Sequence, residues 1–366
     1  MRILITGGCG FVGSRLALHF ADQGHRIVVM DNLVRRGSEG NIERLRKRGI
    51  HFVHGDVRNA EDFANLPAGI EFVCAASAHP SVVTGYANPV YDVSNNTLGV
   101  MRVLEYARQH RCPLIFWSSN RVYNADLLNT FPRKELESRL AWNAEAWRKL
   151  SAESRPRGFD PVHGISEEFT VDGGQRSIYG LSKLMADLAC QEYAQAYDMP
   201  VVVNRFGVIS GSGQFGKTEQ GWLAWWAIAH WFGLPLTYIG WKGKQVRDIL
   251  FIEDVCSLAD LQLKQINLFR GEVFNAGGGS ANTLSLLEAT KEMKKRIGRA
   301  TRIAEENAPR KADIAVYFTD NRKLQRTLGW RPQTSLDRGI QEILHWIHEN
   351  ETELRARYCS TASMQE

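Results

Sequence analysis

The chain opens on a short apolar run, Arg2-Ile3-Leu4-Ile5-Thr6, and from Phe11 to Gln23 its apolar residues recur at helical spacing. That pattern predicts a strand, a tight turn and a helix. A second β-type run follows at Arg26 to Met30, then His51 to His54, then Ile70 to Ala76. A helix from Asn96 to His110 leads into another apolar run at Leu114 to Trp117. Strands alternating with helices in this way predict an α/β fold around a parallel sheet. No internal repeat or low-complexity segment interrupts the alternation.

The first turn reads Gly7-Gly8-Cys9-Gly10-Phe11-Val12-Gly13. Glycines at 7, 10 and 13 permit the turn, let a pyrophosphate approach the backbone, and let the helix pack closely on the sheet. The helix N-terminus then faces the phosphates. Asp31 ends the second strand about 20 residues on, where an acidic side chain hydrogen-bonds the adenosine ribose hydroxyls. The two features together predict a dinucleotide site in a Rossmann-type doubly wound sheet. Asp31 favours NAD over NADP, because a carboxylate repels a 2′-phosphate; Arg35 and Arg36 nearby leave the second cofactor open. Asp56, at the end of the third strand, has two readings, an adenine contact or a strand-end cap.

The run Leu114 to Trp117 delivers Ser118 and Ser119 to the carboxyl edge of the sheet, where ligands bind in open α/β folds. Further on, Tyr179 and Lys183 are four residues apart and project from one face of a helix. An ammonium beside a phenol, with the positive nicotinamide ring, is expected to lower the Tyr179 pKa from about 10 towards neutrality. The phenolate then takes a hydroxyl proton as hydride leaves the same carbon. Ser119 is expected to hydrogen-bond the reacting oxygen, and Lys183 to hold the nicotinamide ribose as well.

Composition narrows the picture a little. At 366 residues the chain is long enough for about two domains, and its net charge is only +5. Basic runs such as Arg44 to Arg48 and Lys294 to Arg296 lie in polar helical stretches and read as solvated faces, not nucleic-acid contacts. Six cysteines form no CxxC pair and no zinc-ligand cluster with histidine, so no metal is expected and the thiols read as reduced, in a cytoplasmic protein. A first strand at residue 2 leaves no room for a signal peptide ahead of it. Trp222 to Trp241 contains no charged residue over the length of a membrane span, but His230, Gly233, Pro235 and Thr237 interrupt it. An aromatic helix lining a cleft or interface is the preferred reading, with no membrane partner.

These motifs resemble the extended short-chain dehydrogenase/reductase family of nucleotide-sugar epimerases and dehydratases. The resemblance runs from Met1 to about Trp346. It includes the glycine loop, Asp31-Asn32-Leu33, Gly55-Asp56-Val57, Asn96, the Ser119/Tyr179/Lys183 set, Arg247-Asp248 followed by Asp254, Phe274 to Gly278, and Leu328 to Pro332. It implies NAD as cofactor, with Gly7, Gly10, Phe11, Val12, Gly13, Asp31, Asn32, Asp56, Val57, Ala75, Asn96, Tyr179 and Lys183 around it. Three stretches, Asp31 to Gly37, Gln214 to Trp222 and Gly243 to Asp248, most resemble the members that epimerise CDP-linked dideoxyhexoses at carbon 2. The dehydratases need an acid and a base directly after the strand serine; here stand Asn120 and Arg121, which disfavours dehydration. The expected reaction is therefore NAD-dependent epimerisation of a nucleotide-sugar, a CDP-sugar favoured. A related 4-epimerase, reductase or decarboxylase is the alternative, and a non-catalytic NAD-binding scaffold or redox sensor a third.

Substrate contacts are expected at His79, Asn120, Arg121, Gln214, Gln220, Trp222, Arg247 and Arg310. The two last could pair bidentately with a diphosphate; Arg247 could instead pair with Asp248 or Asp254. Trp222 could stack on the base or belong to the core, and His79 could reach substrate or cap a turn. Arg205-Phe206-Gly207-Val208 departs from the family pattern, which carries Asn three residues after that arginine. The expected division is an NAD lobe at 1–206, with 246–269 returning to it, and a substrate lobe at 207–245 and 270–348. An insertion at about 124–174, with an amphipathic piece from Arg133 to Ser151, would act as a lid or an oligomer contact, and 349–366 is a polar tail expected to fray. The resemblance also implies a homodimer or homotetramer through helices near 96–110 and 179–197.

Overall fold

The computed structural model describes residues 1–299 and 301–359. Its centre is a seven-stranded sheet in the spatial order Glu272–Ala276, Val201–Phe206, Leu114–Ser119, Phe72–Ala75, Arg2–Thr6, Arg26–Asp31 and His51–His54. Every pairing in it is parallel. The order reverses between Arg2–Thr6 and Phe72–Ala75, so the crevice at their carboxyl ends is the place where a ligand is expected. Both faces are buried, one under Phe11–Asp22 and Ile252–Gln265, the other under Gly99–Gln109 and Ser177–Ala196.

The strand Glu272–Ala276, which the linear division assigned to the substrate lobe, is the seventh strand of the main sheet. Conversely Val246–Phe251 pairs with Val208–Ser210, Thr283–Ser285 and Val316–Tyr317 in a separate four-stranded sheet. The chain crosses between layers more often than a two-block division allows, because a strand's partner is chosen by sheet register and not by sequence distance. The uncharged segment splits into a helix Trp222–Phe232, a left-handed Gly233 and a strand Leu236–Ile239. Among the described residues no helix is long and apolar enough to cross a membrane.

The amphipathic piece is a hairpin, Arg133–Glu135 with Leu140–Trp142, followed by a short helix Ala144–Arg148. It is fastened to the second sheet, with Arg139 Nε donating to Glu288 at 2.6 Å and Ser285 Oγ to the Ser138 carbonyl at 2.7 Å. Phe131, Trp142, Trp147 and Phe159 share one core with Tyr317 and Phe318. The tail is not frayed where it is described: Glu351–Tyr358 is a helix with Leu354 fully buried and Tyr358 donating to the Gly216 carbonyl at 2.8 Å. An aromatic and a leucine in an otherwise polar stretch suffice to dock it. The tail beyond 359 lies outside the described residues.

Candidate functional site

The glycine loop is held at both ends by backbone bonds, Gly7 N–H to the Met30 carbonyl at 2.8 Å and Gly10 N–H to the Gly7 carbonyl at 3.0 Å. Gly7 has φ +68°, and a Cβ on Gly13 would lie 2.2 Å from the Gly7 carbonyl oxygen. No other residue fits at position 13 without moving backbone. Asp31 accepts from the amides of Cys9, at 3.0 Å, and Leu33, at 2.9 Å, so its carboxylate is aimed at the loop. Burial pushes the Asp31 carboxyl up, against these backbone bonds. Asn32 Nδ2 donates to Asp56 at 2.9 Å, and Arg58 pairs with the same carboxylate at 2.6 Å. Burial works to raise the Asp56 carboxyl, but the bonds from Arg58 and Asn32 prevail and hold it at about 2. Val57 packs under Gly99, Ala75 is buried at its strand end, and Asn96 is fully buried. Phe11 and Val12 pack their side chains on the core as the first helix begins. A tight glycine cradle, an acid beside it and a helix N-terminus above it fit the adenosine and pyrophosphate of a dinucleotide.

Ser119 ends its strand and its Oγ accepts from the Arg121 amide at 3.2 Å, starting a 3-10 turn at Asn120–Val122. The helix Ser177–Ala196 packs directly on that turn: a Cβ on Gly180 would lie 2.2 Å from the Arg121 carbonyl oxygen. Ser177 begins the helix with φ +68° and its Oγ accepts from the Gly180 amide at 3.0 Å. This close approach brings Tyr179 beside Ser119, near enough for the serine to act on the phenol's titration. Lys183, 2% exposed, sits one turn further with Nζ 4.3 Å from the centre of the Phe116 ring.

The expected lowering of the Tyr179 pKa is not what the protein alone produces. Burial raises it, while the neighbouring Ser119 hydroxyl and the charge of Arg121 pull it down. Lys183 is itself desolvated, which lowers its pKa to about 8 despite Cys190 and Asp187. Desolvation is the larger effect here because both groups lie under the sheet edge. The sign for stability follows. The unfolded chain keeps this proton to the ordinary value of 10.5, whereas the fold releases it near 8. Between those values the unfolded state binds more protons, so Lys183 makes stability rise with pH, by at most about 1.4 kcal/mol per unit. Denaturant unfolding of the cofactor-free protein should show this slope in the wild type and lose it in Lys183→Met; equal slopes would refute the assignment.

On the substrate side Arg121 and Arg247 converge on one carboxylate. Arg247 Nη2 lies 2.7 Å and Arg121 Nη2 3.4 Å from Asp313 Oδ1. Arg247 therefore pairs with neither Asp248 nor Asp254, which instead accept backbone amides of Gly279 and Thr319, and of Gln333 and Thr334. Arg310 stands apart from this pair and donates to the Thr218 carbonyl at 3.2 Å. Gln214 is buried with both ends used inside its own loop, by Ser210 Oγ at 3.0 Å and the Ile209 carbonyl at 3.1 Å. It braces the loop. Gln220 accepts from Arg35 and so ties that loop to the cofactor lobe. Trp222 is half-buried against Trp226, its Nε1 without a protein partner. Asn120 is buried beside Ser119, with the Ser119 hydroxyl 3.5 Å from its side-chain oxygen. His79 caps no turn: its Nδ1 lies 2.5 Å from Asp92.

Sequence reasoning missed Asp92 and Asp187. Asp187 pairs with Arg205 at 2.9 Å and accepts from Ser118 at 2.7 Å, a buried brace behind the site. Asp187 is four residues after Lys183, so helical spacing alone could have found it. Asp92 carries no local signal. Among the described residues no group of three His, Cys, Asp or Glu could hold a metal ion.

Comparison with known proteins agrees with this geometry. Residues 3–146 match the NAD dependent epimerase/dehydratase family and residues 160–343 the GDP-mannose 4,6 dehydratase family. The chain is 34% identical to CDP-paratose 2-epimerase of Salmonella typhi, over 94% of this chain and 99% of that protein. It is 26% identical to a putative UDP-glucose 4-epimerase of Methanocaldococcus jannaschii, over 95% and 99%. The fold is shared with the Thermus thermophilus UDP-glucose 4-epimerase in complex with NAD, at TM-score 0.71 and 24% identity, covering 95% of this chain and 99% of that one. With the glycine cradle, the Ser119–Tyr179–Lys183 arrangement and these likenesses together, the chain belongs to the NAD-dependent epimerase/dehydratase family of nucleotide-sugar enzymes, within the extended short-chain dehydrogenases/reductases.

Proposed function

We propose that this protein epimerises a nucleotide-sugar, with a CDP-sugar as substrate and carbon 2 as the reacting centre. The observation that carries the reading is Tyr179 beside Ser119 with Lys183 one turn away, next to Asn120 and Arg121 where a dehydratase needs an acid and a base. Neither Asn120 nor Arg121 exchanges protons near neutrality. The 34% identity to CDP-paratose 2-epimerase supports the choice of base and carbon.

When bound, NAD would supply a hydride acceptor that gives the hydride back to the opposite face of the same carbon, and the protein's residues do the rest. Tyr179 takes the proton of one sugar hydroxyl, and Ser119 holds that oxygen by a hydrogen bond. The Lys183 ammonium, where protonated, favours the phenolate against the burial that opposes it. The Tyr179 proton then returns to the same oxygen after the flat carbon has turned its other face. Arg121, Arg247 and Arg310 serve the diphosphate, the first two by exchanging Asp313 for phosphate oxygens.

The test is incubation of purified protein, with no added cofactor, with CDP-, UDP-, GDP- and dTDP-sugars, following stereochemistry by proton NMR. Inversion of a CDP-sugar at carbon 2 with no net cofactor consumption is expected. Conversion of another nucleotide-sugar alone would overturn the CDP assignment, and stoichiometric use of NAD(H) would favour a reductase or decarboxylase of the same family.

We also propose a homodimer. Leu181, Met185 and Leu188 are exposed at helical spacing on Ser177–Ala196, beside exposed Leu98 and Met101 on the neighbouring helix. Leu188→Glu should convert the dimer to monomer in analytical ultracentrifugation; an unchanged sedimentation coefficient would place the contact elsewhere. Five buried thiols without disulfides suit a reducing, cytoplasmic setting.

A further inference from the structure

The segment from His79 to Asp92 lies beside the helix that carries Tyr179, and it holds a polar pair that the reaction scheme above does not use. His79 follows the strand Phe72–Ala75, at the sheet edge that Ser119 also reaches. Its loop is fastened on both sides. Thr6 Oγ1 donates to Ser77 Oγ at 3.2 Å next to the glycine cradle. On the other side the His79 amide donates to Asn96 Oδ1 at 2.7 Å, and Asn96 Nδ2 donates to Ser182 Oγ at 3.0 Å. Ser182 in turn donates to the Tyr179 carbonyl at 2.8 Å, so the loop is tied to the turn of helix that carries the phenol.

Asp92 is fully buried, with Oδ1 2.5 Å from His79 Nδ1 and Oδ2 without a protein partner. A Cβ on Gly85 would lie 2.3 Å from that Oδ2 and 3.4 Å from the Tyr179 amide nitrogen. The carboxylate is thus wedged between Gly85 and the start of the catalytic helix. Taking a carboxylate out of water costs several kcal/mol unless it is paired. Since a carboxylate only accepts, His79 Nδ1 carries the hydrogen and Nε2 is the ring nitrogen left for another partner. Thr84 Oγ1 lies 3.5 Å from Nε2, at the outer limit of a hydrogen bond. Tyr91 meets the ring edge-on at 5.0 Å and limits its rotation. The His79 side chain is 29% exposed and that of Asp92 0%, so the open edge of the imidazole is the one turned away from the carboxylate.

We propose that His79, held by Asp92, hydrogen-bonds a sugar hydroxyl next to the reacting carbinol, with Asp92 a positioning residue that acts through it. The pair stands at the sheet edge that Ser119 reaches, whereas the diphosphate is served by the arginines, so the pair reads the sugar and not the diphosphate. The proposal rests on the nucleotide-sugar reading above.

The test compares His79→Asn, Asp92→Asn and the double variant with wild type, using each nucleotide-sugar of the panel that the wild type converts. Asparagine can reproduce the Nδ1–H bond to Asp92 while removing Nε2. His79→Asn should raise KM about tenfold, the worth of one hydrogen bond of about 1.4 kcal/mol, with kcat and bound NAD per chain within twofold of wild type. Asp92→Asn should shift KM in the same direction, and the double variant should be no worse than His79→Asn. An unchanged KM in His79→Asn, or a parallel loss of NAD, would overturn the proposal, since the pair would then be inert or serve only the cofactor loop. A wild type that converts no nucleotide-sugar removes the parent reading and this one with it; an active wild type with unaltered variants removes only this one.

Discussion

Tyr179→Phe should lower nucleotide-sugar turnover about a hundred- to ten-thousandfold while the protein keeps its fold and its NAD. The phenol stands beside Ser119, where it can take and return the hydroxyl proton. Phenylalanine keeps the ring at the start of Ser177–Ala196 and removes its hydroxyl. Proton NMR of the epimer ratio measures the loss, and absorbance of released cofactor checks that NAD is retained. Turnover equal to wild type would remove the catalytic assignment and favour the NAD-binding scaffold. Turnover and NAD lost together would mean that the ring only supports the cofactor loop.

Gly13→Ala should have a comparably large effect by a different route. A Cβ at this position lies 2.2 Å from the Gly7 carbonyl oxygen and 2.8 Å from the Gly7 carbonyl carbon and the Gly8 Cα, all backbone atoms. No rotamer change can relieve such a contact, so the first helix must move away from the loop and take its free amides with it. Bound NAD should fall by about a hundredfold in affinity, which isothermal titration of the cofactor-free protein measures, and activity should return only partly at high NAD. Affinity within threefold of wild type would mean that the loop does not form the pyrophosphate site. Gly40 offers a control, because nothing lies within 4 Å of a Cβ there.

The parts of the site that could be read along the chain are those set by local geometry. Glycines before a helix, an acid at the second strand's end, and a tyrosine four residues before a lysine are short-range patterns. Their physics is contained within one turn or one crossover. The glycine loop with its acid and the Tyr179–Lys183 spacing were legible for that reason. The substrate side was legible only as residue types. Arg247 was recognisable as a phosphate candidate, yet its partner Asp313 is 66 positions away and reaches it through pairing of Val246–Phe251 with Val316–Tyr317. Gln214 carried the right chemistry but is consumed by its own loop, because burial forces its amide to find local partners.

The protein alone does not produce the lowered Tyr179 pKa expected beside Lys183 and a nicotinamide ring, for a related reason. A four-residue spacing says that two side chains share a helix face. It does not say how far both are withdrawn from water, and here withdrawal outweighs their neighbours. The helix at Glu351–Tyr358 shows the same limit, since its polar composition concealed two residues that dock into the fold.

By itself the sequence determined the α/β alternation, the dinucleotide loop, the preference for NAD that Asp31 expresses, and the family to which the chain belongs. The first three depend on contacts within about 30 residues, the span of one βαβ unit, and the family on motifs spread from Met1 to about Trp346. Only the tertiary structure decided that Glu272–Ala276 completes the main sheet and that Arg121 and Arg247 share Asp313. It alone placed His79 against a buried Asp92. Those outcomes depend on which distant strands and helices pack together and on how much water their packing excludes, quantities that no local pattern of residues records.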